Sequence, residues 1–451
     1  MRWTGNSNPA LVGAIVASFR DSSEQSRRTF ARFKKQDWDR TDTWLDTSGL
    51  ALYFLDCLRS SGTTDAIDAA ALRRLEQRLA DNADRNADMH REFVAINRAF
   101  QCAGIRFANL KGVTLTPDSC PDLSLRRQAD LDFLIDPADL NLGRALLEAR
   151  GYVPTGSTTR TLEFKSGRSL RVSLEGQYKV PPVRSVELHL ALDSKDASAT
   201  GGARDERLNR LSAWTCEAGS FPALSSGDQL IGQALHLLGH LRSEQTRLSW
   251  LLEYRHHVLA RLGDDEFWKE VRTLAFQQPN ATTALGLCTL LATDFFGAFS
   301  SPELDLWTLD VLPPGVKLWA DRYGRRAVLA DVPGTKLYLF LESVLATPGK
   351  SDPLRSRLVR RLLPLHGPPR ILRPPAQDTL RLRIRRELVQ ARFILYRLYF
   401  HLKHGALYAI EARRWHRLLK RSGHRKPPCF EARSVPATTW CDESQDVHDI
   451  P

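Results

Sequence analysis

Apolar residues recur at helical spacing through the first hundred residues, with little sign of strand. The clearest apolar stripe lies between residues 84 and 103 and consists of Met89, Phe93, Ile96 and Phe100. Residues three or four positions apart share one face of a helix, so this stripe predicts a helix that packs by that face. We therefore expect an N-terminal helical region over residues 1–103, before any sheet.

After Gly104 the pattern becomes typical of strands. Three short apolar segments, IRFANLKG, DLDFLID and SVELHLAL, predict strands, and a hairpin is predicted around Ser166 and Gly167. A helix is predicted after the second strand, with inner positions at Leu140, Leu142, Ala145, Leu146 and Ala149. Residues 104–195 are therefore expected to form an α/β core around a small mixed sheet.

Helical spacing returns after Ser225 and predicts a helical domain over residues 196–301 that packs on the core. Repeated prolines then predict an irregular connection over residues 302–376. A basic amphipathic helical segment is expected at 377–425, and a flexible tail at 426–451. The predicted fold class is α+β, a small mixed-sheet core flanked by N-terminal and C-terminal helical regions.

Composition is that of an ordinary folded protein, with 42% hydrophobic and 26% charged residues among 451. No run of eighteen apolar residues occurs, and the N-terminus MRWTGNSNPA lacks the apolar core of a signal peptide. We therefore expect a cytoplasmic protein with no transmembrane segment. A location peripheral to the membrane stays open, because of the charge at the C-terminal end.

The net charge of +12 is concentrated in that end of the chain. Between Arg381 and Arg425 there are thirteen Lys or Arg residues and two acids. On a helix, basic residues such as Arg385, Arg392 and Lys403 lie opposite an aliphatic side formed by Ala391, Ile394, Leu395, Leu398 and Leu402. An RNA, an anionic membrane surface or a polyanionic glycan would each suit this segment. The alternative is a basic surface helix that packs on the protein by its aliphatic side.

Cysteine and histidine patterns do not favour a transition-metal site. The seven cysteines are odd in number, scattered and never in a CxxC pair, so they predict neither a disulfide framework nor a zinc site. His236 and His240 have a metal-compatible spacing of four, but no carboxylate lies near them in the sequence. Both are better interpreted as core or surface residues.

The candidate chemistry centres on carboxylates in and near the predicted strands. Asp130 and Asp132 are two residues apart, so on a strand they share one face about 7 Å apart and repel each other unless a cation lies between them. Glu187, on a later strand, would supply a third carboxylate. Three such groups suit Mg²⁺ or Mn²⁺, which take oxygen ligands and share them with substrate phosphates. The alternative is a solvated pair at a strand edge.

Cationic and backbone groups just upstream would complete a phosphate site. Lys111 and Gly112 form a predicted turn, and Arg126 precedes the aspartates by four residues. A lysine and the N–H groups of a glycine turn can hold phosphate oxygens, although each of these residues also fits an ordinary surface turn. His189 shares the face of Glu187 and would orient it, contact substrate or serve as a structural histidine.

Four motifs together resemble a known family. They are LKG at 110–112, R-x-x-x-D-x-D at Arg126, Asp130 and Asp132, the Gly151-Tyr152 pair, and V-E-L-H at 186–189. It is the uncharacterised bacterial nucleotidyltransferase family within the DNA polymerase beta-like superfamily, and the resemblance extends from about residue 10 to 300. It implies metal-dependent transfer of a nucleoside monophosphate from an NTP such as ATP to an acceptor, with release of pyrophosphate. It assigns metal binding to Asp130, Asp132 and Glu187, and acceptor deprotonation to Glu187. The acceptor is not specified: RNA, protein, glycan and small molecule all remain.

The sequence departs from the family pattern at two places, and two other functions remain open. Lys111 and Gly112 stand where the superfamily usually has a glycine-serine turn, and Glu253 stands where an aspartate is expected. A metal-dependent glycosyltransferase would also use an Asp-x-Asp motif, but it would place the motif after a long α/β segment and not after a helical one. A non-catalytic binding protein on a degenerate transferase core is the third hypothesis.

Overall fold

The computed structural model describes residues 7–158, 160–166, 176–180, 183–191, 205–332, 334–346 and 380–421. The N-terminal region is helical as predicted: α1 Pro9–Ala17, α2 Ser23–Phe30, α3 Lys35–Ser48, α4 Ala51–Ser60 and α5 Ala69–Cys102. Helix α5 begins where the Asp68 side chain accepts hydrogen bonds from the N–H groups of Ala70 and Ala71. It carries the predicted stripe.

The strands of the described residues form one seven-stranded mixed sheet, and the α+β class is confirmed. The strands are β1 Phe107–Asn109, β2 Leu131–Ile135, β3 Tyr152–Ser157, β4 Thr161–Ser166, β5 Ser185–Leu190, β6 Leu211–Cys216 and β7 Gly219–Leu224. Their order is β3-β4-β5-β2-β1-β7-β6. Helix α5 packs its stripe on one face of this sheet, where the rings of Phe100 and Phe133 lie 5.4 Å apart.

The central pairing of the sheet decides where the acidic residues meet. Strands β2 and β5 run parallel, with Asp132 opposite Glu187 and Leu134 opposite His189. Strand β1 pairs antiparallel with β2 on the other side. A parallel pair needs a long crossover, and helix α6 Leu140–Ala149 and the β3–β4 hairpin lie within it.

The hairpin predicted at Ser166 and Gly167 involves residues 167–175, which lie outside the described residues. The hairpin that the structure describes joins β3 to β4. The sheet also continues past residue 195 through β6 and β7, which were not predicted. Most residues of β6 are exposed or half-buried, so its sequence carries no strong apolar alternation.

The predicted inner face of α6 is wrong at three positions. Gly143 and Leu147 are buried, whereas Leu142, Ala145 and Ala149 are exposed. Helix α6 lies so close to the sheet that a Cβ atom at position 143 would lie 2.7 Å from the Ile135 side chain. The inward residue at that point is therefore a glycine, which a count of apolar side chains overlooks.

The chain then forms the predicted helices α7 Ser226–Leu241, α8 Leu248–Ala260, α9 Asp265–Gln277 and α10 Ala281–Phe296. The predicted irregular connection is wrong up to residue 345, because this stretch contains α11 Pro302–Trp307, α12 Pro314–Trp319, α13 Arg325–Val328 and α14 Tyr338–Leu345. Pro302 and Pro314 each begin a helix, a position where proline costs no hydrogen bond. Residues 347–376 lie outside the described residues.

The basic segment is helix α15, Leu380–Arg421. It packs on the body through Phe400, His401 and Trp415, all at most 4% exposed. The alternative that the helix packs by its aliphatic side is wrong, because Leu395, Leu398 and Leu402 are exposed. None of the described helices has the length and apolar character to cross a membrane. The tail predicted at 426–451 is outside the described residues.

Candidate active site

Asp132, Glu187 and His189 converge at the centre of the sheet. The Asp132 side chain is 1% exposed, and its Oδ1 atom lies 3.1 Å from Nε2 of His189. The same Nε2 lies 3.3 Å from Oε2 of Glu187. One ligand atom from each of the three residues lies within 4.8 Å of the other two, and Asp130 does not belong to this group. Residues 55 positions apart in sequence meet here because β2 and β5 pair in parallel.

A turn at the end of β1 brings Lys111 to the same carboxylate. The Lys111 Nζ atom lies 3.3 Å from Oδ1 of Asp132. Gly112 follows with φ +79°, which a residue with a side chain rarely adopts, and starts a turn of 3₁₀ helix over Gly112–Leu115. The predicted turn is therefore present, and it directs Lys111 toward Asp132.

The electrostatics of these groups depend on one another. Burial and the neighbouring Asp132 carboxylate raise the pKa of Asp130 to about 6. Burial opposes charge on Asp132, but the hydrogen bond from His189 and the charge of Lys111 hold the pKa of Asp132 below its usual value. Burial likewise opposes charge on His189, yet its hydrogen bonds to Asp132 and Glu187 raise the pKa of His189 to about 9. The site thus stabilises positive charge beside Asp132.

Arg126 points elsewhere than the aspartate pair. Its Nε atom donates to Oε2 of Glu253 at 3.2 Å, and the Glu253 side chain is 5% exposed. Glu253 also accepts a hydrogen bond of 3.0 Å from the Tyr53 hydroxyl. The residue that departs from the family pattern is therefore the buried counter-ion of Arg126.

A cavity of about 200 Å³ lies beside Lys111 and His189, the two residues that contact the Asp132 carboxylate. Its lining includes Lys111, Arg126 and His189 from the predicted site. Arg207, His236 and Trp250 are among the lining residues that the sequence interpretation did not assign to the site. The rings of His236 and Trp250 lie 4.9 Å apart, on α7 and α8. The cavity thus lies between the sheet and the helical region, and basic, aromatic and acidic side chains line it, the acids being Asp228 and Glu253.

Comparison with protein families agrees with this geometry. The family model described as "Uncharacterised nucleotidyltransferase" matches residues 34–297, which is more than half of the chain. The chain belongs to this nucleotidyltransferase family. The match includes every predicted site residue, and a search of curated proteins found no match.

Among solved structures, this chain is similar to an antigenic nucleotidyltransferase-like protein from Paracoccidioides brasiliensis. The identity is 12%, over 47% of this chain and 93% of that chain, and the TM-score is 0.26. Family membership rests on the sequence match over residues 34–297.

Polar residues of α5 that the sequence interpretation missed hold the loop before β2. Asn82 and Asn86 donate to the carbonyl oxygen of Arg126 at 3.2 and 3.1 Å. Arg85 Nε donates to the carbonyl oxygen of Gln128 at 2.8 Å, and Gln128 Nε2 donates to the carbonyl oxygen of Asp130 at 2.9 Å. The signal was present, since positions 82, 85 and 86 continue the line of the apolar stripe.

Proposed function

We propose that this chain is a metal-dependent nucleotidyltransferase, of the DNA polymerase beta-like superfamily, that moves a nucleoside monophosphate from an NTP to an acceptor. The observation that carries the proposal is the parallel pairing that sets Asp132 opposite Glu187, with Lys111 and His189 beside them. A cytoplasmic location belongs to the proposal, because NTP donors are found there. The acceptor class remains for experiment to identify.

The donor set fits a divalent cation. Lys111 and His189 both approach one buried oxygen of Asp132, which shows that this position stabilises positive charge. Asp132 and Glu187 would hold Mg²⁺ or Mn²⁺, and Asp130, whose carboxyl lies in their electric field, would supply the third carboxylate. When bound, such an ion polarises the transferring phosphoryl group and neutralises the leaving pyrophosphate.

The cationic wall of the cavity suits the triphosphate of an NTP. Lys111 and Arg126 both line the cavity, and each can donate to phosphate oxygens. The N–H of Gly112, at the start of its turn, is proposed as a further donor. Trp250 and His236, which also line the cavity, are proposed to contact the nucleobase through their rings.

The proposed transfer exchanges one P–O bond of the NTP for a P–O bond to the acceptor. An acceptor oxygen attacks the α-phosphorus, a new P–O bond forms, and the bond between the α-phosphorus and the bridging oxygen breaks to release pyrophosphate. We assign the acceptor proton to Glu187. The Glu187 side chain is 24% exposed, so an acceptor can reach it, whereas Asp132 is 1% exposed. His189 hydrogen-bonds both carboxylates and positions them.

The test is to incubate the full chain with Mg²⁺ or Mn²⁺ and NTPs labelled at the α-phosphate. Pyrophosphate release and label transfer to RNA, protein, glycan and small acceptors are measured. We expect Asp132→Asn and Glu187→Gln to lower turnover at least about 100-fold. Added metal should raise the melting temperature of the wild type but not that of Asp132→Asn.

The matched control is Glu92→Gln. Glu92 is a largely buried acid whose ion pairs, with Arg150 and Arg184, lie away from the site, so the change should preserve turnover. Equal turnover by wild type and Asp132→Asn would refute the proposal. Release of UDP from UDP-sugars in place of pyrophosphate would identify a glycosyltransferase, and binding without turnover of any donor would identify a non-catalytic protein.

A further inference from the structure

Helix α15 leaves a long aliphatic stripe uncovered. Six large aliphatic side chains at helical spacing are between 50% and 72% exposed: Leu380, Ile384, Leu388, Leu395, Leu398 and Leu402. At 100° per residue all six fall within about 80° of one another, and the stripe is about 33 Å long at 1.5 Å per residue. Among the described residues, no other surface carries so long a row of exposed aliphatic side chains.

The stripe cannot pack on the body of the protein, because the opposite face of α15 already does. Trp415 is 1% exposed and packs on Phe340, with ring centroids 5.5 Å apart, and the Tyr408 ring stacks on the same phenylalanine at 4.6 Å. Arg397 forms an ion pair of 2.8 Å with Glu244. Aromatic and ionic contacts thus hold one face on the body, and the stripe faces away from it.

Exposed cations border the stripe. Arg392 and Lys403 lie along one side with the exposed Tyr399 between them. Beyond the last leucine of the stripe, exposed basic residues continue to the end of the helix: Arg413, Arg414, Arg417, Lys420 and Arg421. An aliphatic stripe edged by Arg, Lys and Tyr is the pattern of a helix that lies in the plane of a membrane interface.

We propose that α15 docks this protein on an anionic lipid surface, with the stripe in the acyl boundary and the cations on the headgroups. Charge complementarity selects this occupant. A second copy of the helix would bring two strongly basic edges together, which costs free energy. An RNA would gain nothing from the leucines. Among the described Phe, Tyr and Trp side chains of α15 only Tyr399 is exposed, whereas Phe400 and Trp415 are buried against the body.

The test uses the full chain and sedimented vesicles of phosphatidylcholine, with or without about 30% phosphatidylglycerol. We expect binding to the anionic vesicles, and weaker binding to neutral ones or in 0.5 M NaCl. Leu395→Gln/Leu402→Gln should lower the partition coefficient at least about tenfold, because two apolar side chains leave the interface. Arg392→Glu/Lys403→Glu should lower it on anionic vesicles alone.

The matched control is Leu306→Gln/Val311→Gln, which changes two equally exposed aliphatic side chains away from α15 and should bind as the wild type does. Equal binding by the stripe variant and the wild type would overturn the proposal. So would a dimer, seen by light scattering, that the stripe variant breaks, because the partner would then be a second copy. A melting temperature several degrees lower in the stripe variant would also overturn it, because the stripe would then be covered within the chain.

Discussion

At the scale of single residues, Gly112 is the position of the candidate site least able to accept a side chain. Its φ is +79°, and a Cβ atom would lie 2.2 Å from Nε2 of Gln128. That same Nε2 donates to the carbonyl oxygen of Asp130. A side chain at position 112 would therefore disturb both the turn that carries Lys111 and the chain segment that carries Asp130.

We predict that Gly112→Ala lowers both stability and activity. The backbone conformation alone should cost about 1 kcal/mol of unfolding free energy, and the clash with Gln128 adds to it. Gly62→Ala is the control, because Gly62 has φ +64° and no atom lies within 4 Å of the added Cβ. That variant should lose the same free energy through its backbone conformation and keep its activity. Urea unfolding and the pyrophosphate assay measure the two effects. Equal unfolding free energies and unchanged activity in both variants would contradict the prediction.

At the scale of elements, α5 both covers the sheet and holds the site loop. Its apolar stripe packs on the strands, while Arg85, 5% exposed, donates from Nε to the carbonyl oxygen of Gln128 and from Nη1 to that of Lys179. Burial and the charge of Arg127 lower the pKa of Arg85 to about 10, and the side chain remains cationic at neutral pH. One helix therefore ties two loops to the sheet.

We predict that Arg85→Met lowers the unfolding free energy by about 3–6 kcal/mol. Two carbonyl oxygens lose a charged donor, and each such hydrogen bond contributes about 1.5–3 kcal/mol. Activity should fall as well, because the loop that ends at Asp130 is released. Arg91→Met on the exposed side of the same helix is the control and should change neither quantity. If Arg85→Met has the unfolding free energy and turnover of the wild type, the prediction is contradicted, because the loop before Asp130 then keeps its conformation without Arg85.

At the scale of the whole molecule, His257 joins the sheet-bearing part to the helical domain. Its Nδ1 atom accepts a hydrogen bond of 2.9 Å from Gln233 on α7 and lies 3.1 Å from the Ser119 hydroxyl. Its Nε2 atom lies 3.0 Å from the Ser226 hydroxyl. His257 is 1% exposed, and burial lowers its pKa to about 4. The ring is therefore neutral in the folded protein at neutral pH.

This histidine predicts a loss of stability in mild acid. The unfolded chain takes up the His257 proton near pH 6.5 and the folded chain only near pH 4, so unfolding binds a proton between those values. The contribution is present above pH 6.5 and falls by about 3 kcal/mol as the pH drops to 4. We expect His257→Gln to flatten this part of the curve of unfolding free energy against pH. Parallel curves for the variant and the wild type would contradict the assignment.

The secondary structure followed from the sequence where local pattern and packing agreed. The α5 stripe, the strands around Phe107, Asp132 and Glu187, and helices α7 and α8 are where periodicity placed them. Prediction failed where the deciding contact was not apolar and local. Strand β6 is largely exposed, and Gly143 is buried because α6 lies close to the sheet. Pro302 and Pro314 begin helices, although their pattern predicts irregular chain.

By itself, the sequence determined which residues can do chemistry, because carboxylates two apart on a strand, a Lys-Gly turn and a V-E-L-H strand are local patterns. The tertiary structure decided which of them meet. The parallel register of β2 and β5 brings Glu187 and His189 to Asp132, and the Glu253 side chain draws Arg126 away from that group. Packing likewise decided which face of α15 remains exposed, because Phe400 and Trp415 are buried against the body and the leucines of the stripe are not. Such choices depend on contacts between residues far apart in the chain, which local periodicity does not encode.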